Sequence, residues 1–314
     1  MPVCLYFVVP CYKDEDTLPV SVPMFLKKLD DLTAAGVISA ESRLMLINDA
    51  SPDDTWNVIL ELKKKDRRIT AMDLAHNAGE QNALLAGMFT AAEKADCVIT
   101  MDSDLQDDID AVDEMLQRFS EGCEIVYGVR SARKEDGFGE RFASGSFYAL
   151  MRIAGTGQID QHANFRLMSK KAIGQLSAYT ATNYYLPCVV SNMGLKSAVV
   201  YHQRFERAAG TTGYSFAKKL RLAVDAVFSH SVFPLKLVSG MAAFCGVLTL
   251  AALVGMFVLW GKSGAFPTRT CILASVFLIG TLFMCALRIL GEYIVKTFAE
   301  AKHPPRYRID TYLE

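Results

Sequence analysis

None of the eight cysteines stands in CxxC spacing with another. A zinc framework or a disulfide lattice is therefore not expected, and the cysteines read as small apolar residues of a reducing compartment. Net charge is almost missing: 33 Lys and Arg against 34 Asp and Glu leave −1, so no global field points to nucleic acid. No basic stretch precedes the apolar run in the opening MPVCLYFVVP, so no signal peptide is expected. The chain also lacks internal repeats and low-complexity tracts.

What is present is unevenly spread. Up to about Ser231 apolar runs alternate with charged segments, as in a soluble α/β domain. Beyond it Leu237 to Trp260 and Thr270 to Leu287 carry no formal charge. The first is long enough to cross a hydrocarbon core of roughly 30 Å and the second is close to the lower limit, the alternative being buried core helices. Lys218, Lys219, Arg221 and Lys236 precede the first run; Arg288, Lys296, Lys302, Arg306 and Arg308 follow the second; the loop between holds only Lys262 and Arg269. This bias predicts both chain ends on the cytoplasmic side of the cytoplasmic (inner) membrane. Between Ser215 and Val232, Phe216, Leu220, Val224, Val227 and Phe228 alternate with basic residues. The pattern predicts an amphipathic helix on the membrane surface, or else an ordinary surface helix.

In the first part, strands are predicted at Leu5–Val9, Arg43–Ile47, Ile69–Leu74 and Cys97–Met101. Helices are predicted near Val20–Thr33, through Val58 and Leu62, and over Gln81–Lys94. Alternation of this kind predicts a mostly parallel sheet covered on both faces. The loops after Pro10, Asp49 and Asp102 then gather beyond the strand C-termini, where such sheets bind ligands. In the last of them, Asp102-Ser103-Asp104-Leu105-Gln106-Asp107 offers carboxylates at alternate positions, a set that suits Mg²⁺ or Mn²⁺ bridging nucleotide phosphates. Asp107 and Asp108 read instead as caps of the helix containing Met115 and Phe119.

Several segments together resemble one family. Val9-Pro10-Cys11-Tyr12-Lys13-Asp14-Glu15 is similar to V-P-x-Y-N-E-E, Asn48-Asp49-Ala50-Ser51 to D-D-G-S, and Asp102 to Asp107 to D-x-D-x-Q-D. Tyr127 to Arg130, Asn164 to Met168, and Arg204 to Tyr214 are similar to Y-G-x-R, F-R-L-M and R-x-x-R-x-x-G-x-[ST]-x-Y. The chain thereby resembles the family 2 polyprenyl-phosphate glycosyltransferases, the group with GtrB-type glucosyltransferases and dolichyl-phosphate mannose synthase. The resemblance implies a GT-A, Rossmann-like catalytic domain over residues 1–214, an interfacial helix over 215–232, two transmembrane helices within 233–296 and a cytoplasmic tail over 297–314. It implies inverting transfer of a sugar from a UDP- or GDP-linked donor to a polyprenyl phosphate, by a homo-oligomer in the lipid bilayer.

The same resemblance implies roles for single residues. Asp102, Asp104 and Gln106 hold the metal, while Pro10, Tyr12, Asp14, Glu15, Asp49, Asp102 and Ser103 bind the donor. Arg130, Arg141, Ser144 and Asn164 bind the acceptor, and Asp104, Arg130, Arg204 and Arg207 carry catalysis, arginine suiting phosphate by its two-pronged donor geometry. The chain departs from the pattern at Asn48, Ala50 and His76, and at Asn164, which is acidic in GtrB-like members. A general base at Asn164 is therefore not expected, and a lipid phosphate, largely ionised at neutral pH, needs none. A processive polysaccharide synthase fits less well because no Q-x-x-R-W segment is present. A non-catalytic scaffold fits less well because Asp102, Asp104, Gln106 and Arg204 are all retained.

Overall fold

A computed structural model describes residues 2–131, 162–179, 186–203, 268–301 and 305–314. The predicted interfacial helix, the first predicted span, and Arg141, Ser144, Arg204 and Arg207 lie outside the described residues.

Strands β1 (Leu5–Cys11), β2 (Arg43–Asn48), β3 (Ile69–Leu74), β4 (Cys97–Thr100), β5 (Ile125–Arg130), β6 (His162–Ser169), β7 (Ser197–His202) and β8 (Ile309–Leu313) form one sheet. Its order is β7-β5-β6-β4-β1-β2-β3-β8. The pairs β1–β2, β1–β4, β2–β3 and β5–β7 are parallel; β4–β6, β5–β6 and β3–β8 are antiparallel. The sheet is thus mixed where a mostly parallel one was expected. The reason is that β6 inserts between β4 and β5, and β8 adds the far edge from what was expected to be a tail.

Both faces of the central strands are buried, and the period of two divides them cleanly. Leu5, Phe7, Val9 and Cys11 of β1, with Leu44 and Leu46 of β2, pack on one face, and Tyr6, Val8, Met45 and Ile47 on the other. The first face is covered by α1 (Leu18–Ala34), α2 (Thr55–Lys65) and α4 (Ala111–Ser120); the second by α3 (Glu80–Ala91), α5 (Lys170–Ser177) and α6 (Leu186–Ser191). Gly87 lets α3 lie directly on the sheet, since a Cβ there would stand 2.3 Å from Ile47 Cδ1. Buried Lys28 of α1 reaches Asp110 at 2.9 Å and Asp113 at 2.7 Å, fixing the start of α4.

β1 runs on through Pro10, which was expected to end it. β4 stops at Thr100, opposite Val8, so Pro10 lies past the last β1–β4 pair. There its missing N–H leaves no rung of that ladder unmade.

Helix α7 (Thr268–Ala301) is the only helix among the described residues that is long and apolar enough to cross a membrane, with a candidate span at Leu278–Phe298. The predicted Thr270–Leu287 lies within the same helix, which continues past Arg288. Val276, Ile279, Phe283, Ile294 and Phe298 are exposed along it.

Candidate functional site

The three predicted loops do gather at the C-terminal ends of β1, β2 and β4. Each contains one non-glycine residue with positive φ: Lys13 at 60°, Ala50 at 49° and Leu105 at 49°. Left-handed backbone is uncommon for residues with a Cβ and concentrates where surrounding contacts hold it in place.

Those contacts are specific. Asp14 accepts the Tyr12 N–H at 2.9 Å and the Ser103 hydroxyl at 2.9 Å, tying the first loop to the third. Its own N–H donates to Thr55 Oγ1 at 2.9 Å, and the Lys13 N–H donates to Ser51 Oγ at 3.2 Å, tying the first loop to the second. Glu15 accepts the Asp54 N–H at 2.8 Å. Burial pushes the Asp14 carboxyl up, offset in part by the Tyr12 and Ser103 hydrogen bonds. Tyr12 stays exposed beside this knot, with Lys13 Nζ 5.7 Å from its ring centroid, and Pro10 lies at the end of β1.

Asp49, expected to line the donor pocket, has both carboxylate oxygens engaged by backbone. The Ala78 N–H donates at 2.7 Å and the Gly79 N–H at 3.0 Å, so Asp49 pins the loop leading into α3. Asn48, at the end of β2, donates its side-chain amide to Asp73 at 2.7 Å.

The acidic centre lies after β4. Asp102 is pushed up to about 8, first by burial and then by Glu80, Asp107 and Asp104, against the opposing pull of Arg130. Asp104 Oδ1 accepts the Gln106 N–H at 3.2 Å, closing the turn, and Gln106 is itself buried. Asn164 on β6 donates its amide to Glu80, the first residue of α3. Sequence reading missed Glu80 because its partner is far away in the chain; only its place at a helix start after β3 marked it.

Asp107 differs from its expected role. Neither it nor Asp108 caps α4: the N-cap is Asp110, whose side chain makes no capping bond, and Asp108 accepts only the Asp110 N–H, at 3.0 Å, in the turn before the helix. Asp107 is buried and accepts from Arg130 in a fork, Nε to Oδ1 at 2.7 Å and Nη2 to Oδ2 at 3.2 Å. Burial opposes the Arg130 charge, but Asp107, Asp102 and Asp104 outweigh it and raise its pKa. Buried His202, at the end of β7, sets Nε2 3.8 Å from Asp107 Oδ1 and meets Phe165 edge-on at 5.1 Å. Phe165 crosses β5 over Gly128, where a Cβ would stand 2.4 Å from its ring, and this gives the glycine of the Y-G-x-R segment a packing reason.

Among the described residues no three His, Cys, Asp or Glu side chains form a ready-made metal cage. The donor set nevertheless suits a hard cation. Asp102 and Asp104 provide two carboxylates and Gln106 an amide oxygen, and a dication would offset the burial and the neighbouring carboxylates that oppose ionisation of Asp102. Mg²⁺ is commonly held this way, by one or two carboxylates with substrate phosphates completing the shell.

A mixed α/β sheet of the GT-A-like kind, with this carboxylate turn beyond its parallel strands, is the scaffold of a glycosyltransferase. The chain belongs to the Glycosyl transferase family 2, whose profile matches residues 6–177. It is 37% identical to the uncharacterized glycosyltransferase YkoT of Bacillus subtilis (strain 168), over 98% of this chain and 91% of that protein. It is 28% identical to the bactoprenol glucosyl transferase of Shigella phage SfV, over 96% of each. Among solved structures, mannosyl-3-phosphoglycerate synthase from Rubrobacter xylanophilus aligns with a TM-score of 0.48 and 13% identity, over 72% of each chain.

Proposed function

We propose that this family 2 glycosyltransferase moves a sugar from a UDP- or GDP-linked donor to a polyprenyl phosphate at the cytoplasmic membrane face, with inversion. The observation that carries the reading is the crowded carboxylate turn, where Asp102 is raised to about 8 next to Asp104 and opposite the fork-held Arg130. Such a turn is suited to a dication on a diphosphate beside an anion-binding guanidinium. Similarity to proteins named bactoprenol glucosyl transferase supports the lipid acceptor.

In this reading Pro10, Tyr12, Asp14, Glu15 and Ser103 hold the nucleoside end of the donor, and Asp49 keeps the adjoining loop in place. Asp102, Asp104 and Gln106 would hold Mg²⁺ or Mn²⁺, which supplies positive charge to the leaving diphosphate. Arg130, with Arg141 and Ser144, orients the acceptor phosphate; Asn164 positions donor or acceptor without acting as base. Arg204 and Arg207 add positive charge to the departing phosphate oxygens. The ionised acceptor oxygen bonds to the anomeric carbon as the bond from that carbon to the diphosphate oxygen breaks, and no proton has to be removed.

Connectivity supports two membrane crossings in this reading. β8 begins at Ile309, soon after α7 ends at Ala301, and pairs with β3 in the same sheet as the N-terminal strands. If α7 crosses a bilayer, the chain must cross it an odd number of further times between β7 and α7. The uncharged run Leu237–Trp260 meets that requirement and supports two spans with both ends on one side. The enzyme acts as a homo-oligomer in this reading. Asp104→Asn should lower transfer at least about a hundredfold, the scale of losing one strong electrostatic contact. EDTA should stop the wild-type reaction, with Mg²⁺ or Mn²⁺ restoring it. Full activity under chelation would overturn the metal assignment.

A further inference from the structure

Arg130 lies among three carboxylates, Asp107, Asp102 and Asp104, but is held by one. Nε and Nη2 are both committed to Asp107, a two-point contact that fixes the plane of the guanidinium as a single hydrogen bond does not. Asp102 and Asp104 also attract it, in that order after Asp107. An arginine released from Asp107 would therefore have two competing carboxylates in reach, and those are the residues assigned to the cation. Asp107 is well placed to prevent this. Its side chain is 1% exposed, so little water is available to replace the guanidinium. Behind it stands His202, itself fixed by Phe165, with Nδ1 2.9 Å from the Gln203 carbonyl oxygen and 3.5 Å from the Asp108 N–H.

We propose that Asp107 is a positioning residue that restrains Arg130, keeping the guanidinium off Asp102 and Asp104 so that these carboxylates stay open to a divalent cation. His202 and Phe165 form the packed wall that keeps Asp107 oriented towards the arginine. This rests on the metal reading of the carboxylate turn and adds to it a cause for the sixth residue of the D-x-D-x-Q-D segment. The restraint leaves Nη1, the nitrogen that Asp107 does not engage, as the donor for an incoming phosphate.

The test uses purified full-length protein in detergent, with Mn²⁺ binding read by electron paramagnetic resonance in the presence of saturating UDP or, separately, GDP. Asp107→Asn should weaken Mn²⁺ binding about tenfold in the wild-type background, yet change it less than about twofold when Arg130→Gln is already present, a non-additivity expected only of coupled residues. Arg130→Lys provides an independent check should Asp107→Asn fail to fold. It keeps the charge but cannot form the fork, so Mn²⁺ binding should weaken by about fivefold or more, whereas charge alone predicts no change. Equal effects of Asp107→Asn in both backgrounds, or wild-type affinity in Arg130→Lys, would overturn the restraint while leaving the metal reading intact. Failure of the wild type to bind Mn²⁺ with either nucleotide would remove both.

Discussion

Substituting Asp102→Asn should make the metal-free protein more stable while removing its activity. The carboxyl titrates at about 8 in the fold against a reference of 3.8, chiefly because it is buried and then because Glu80, Asp107 and Asp104 face it. Its folded-state value lies above its unfolded one, so the fold holds an extra proton between about pH 4 and pH 8, and stability falls as pH rises through that window. Below the window both states are protonated; above it both are ionised and the penalty is constant. At pH 7 this raised carboxyl, with its effect reduced for the site's residual solvent contact, costs the metal-free fold about 2–4 kcal/mol. Asparagine cannot ionise. Its advantage over wild type should be close to zero near pH 4 and grow to about 2–4 kcal/mol by pH 8, or roughly 4–12 °C in melting temperature for a domain of this size. Thermal unfolding in detergent with EDTA, followed by near-ultraviolet circular dichroism across this pH range, measures the difference. A variant that melts at or below the wild type throughout, or that keeps the wild-type pH slope, would refute the reasoning.

Other substitutions probe the surroundings of the site. Glu80→Gln should flatten the same wild-type pH slope, because Glu80 is the first of the charges acting on Asp102; an unchanged slope would place Glu80 outside the cluster. Gly128→Ala would set a Cβ 2.4 Å from Phe165 Cδ1 and 2.9 Å from Met115 Cε, and should cost about 1–3 kcal/mol in urea unfolding, the usual scale of overpacking. Ala50→Gly should instead stabilise by up to about 1 kcal/mol, since relief of left-handed strain at φ 49° exceeds the added freedom of the unfolded chain.

The central strands and the loops beyond them were legible because β1, β2 and β4 are buried on both faces and appear as unbroken apolar runs. The sheet order was not, since the insertion of β6 between β4 and β5 depends on pairings far apart in the chain. β8 escaped notice for a different reason: as an edge strand it carries Asp310 and Thr311 and offers no apolar run. At the site, the motif spacing brought Asp14, Ser103, Asp102 and Asp104 together correctly. It misread Asp107, because an aspartate before a helix is usually a cap, whereas here a buried arginine from β5 takes it. It gave Asn164 no partner, because Glu80 lies 84 residues away in the chain and only folding brings the two into contact.

The central claim is transfer to a lipid phosphate. The measurement that meets it most directly incubates purified protein and Mg²⁺ with undecaprenyl phosphate and a panel of radiolabelled UDP- and GDP-sugars, then determines the anomeric configuration of any glycolipid by NMR. The account predicts that one donor labels the lipid, that Asp104→Asn abolishes the labelling, and that the linkage is inverted relative to the donor. A retained configuration would contradict the single displacement, and label transferred only to water or to a growing polysaccharide would contradict the lipid acceptor itself.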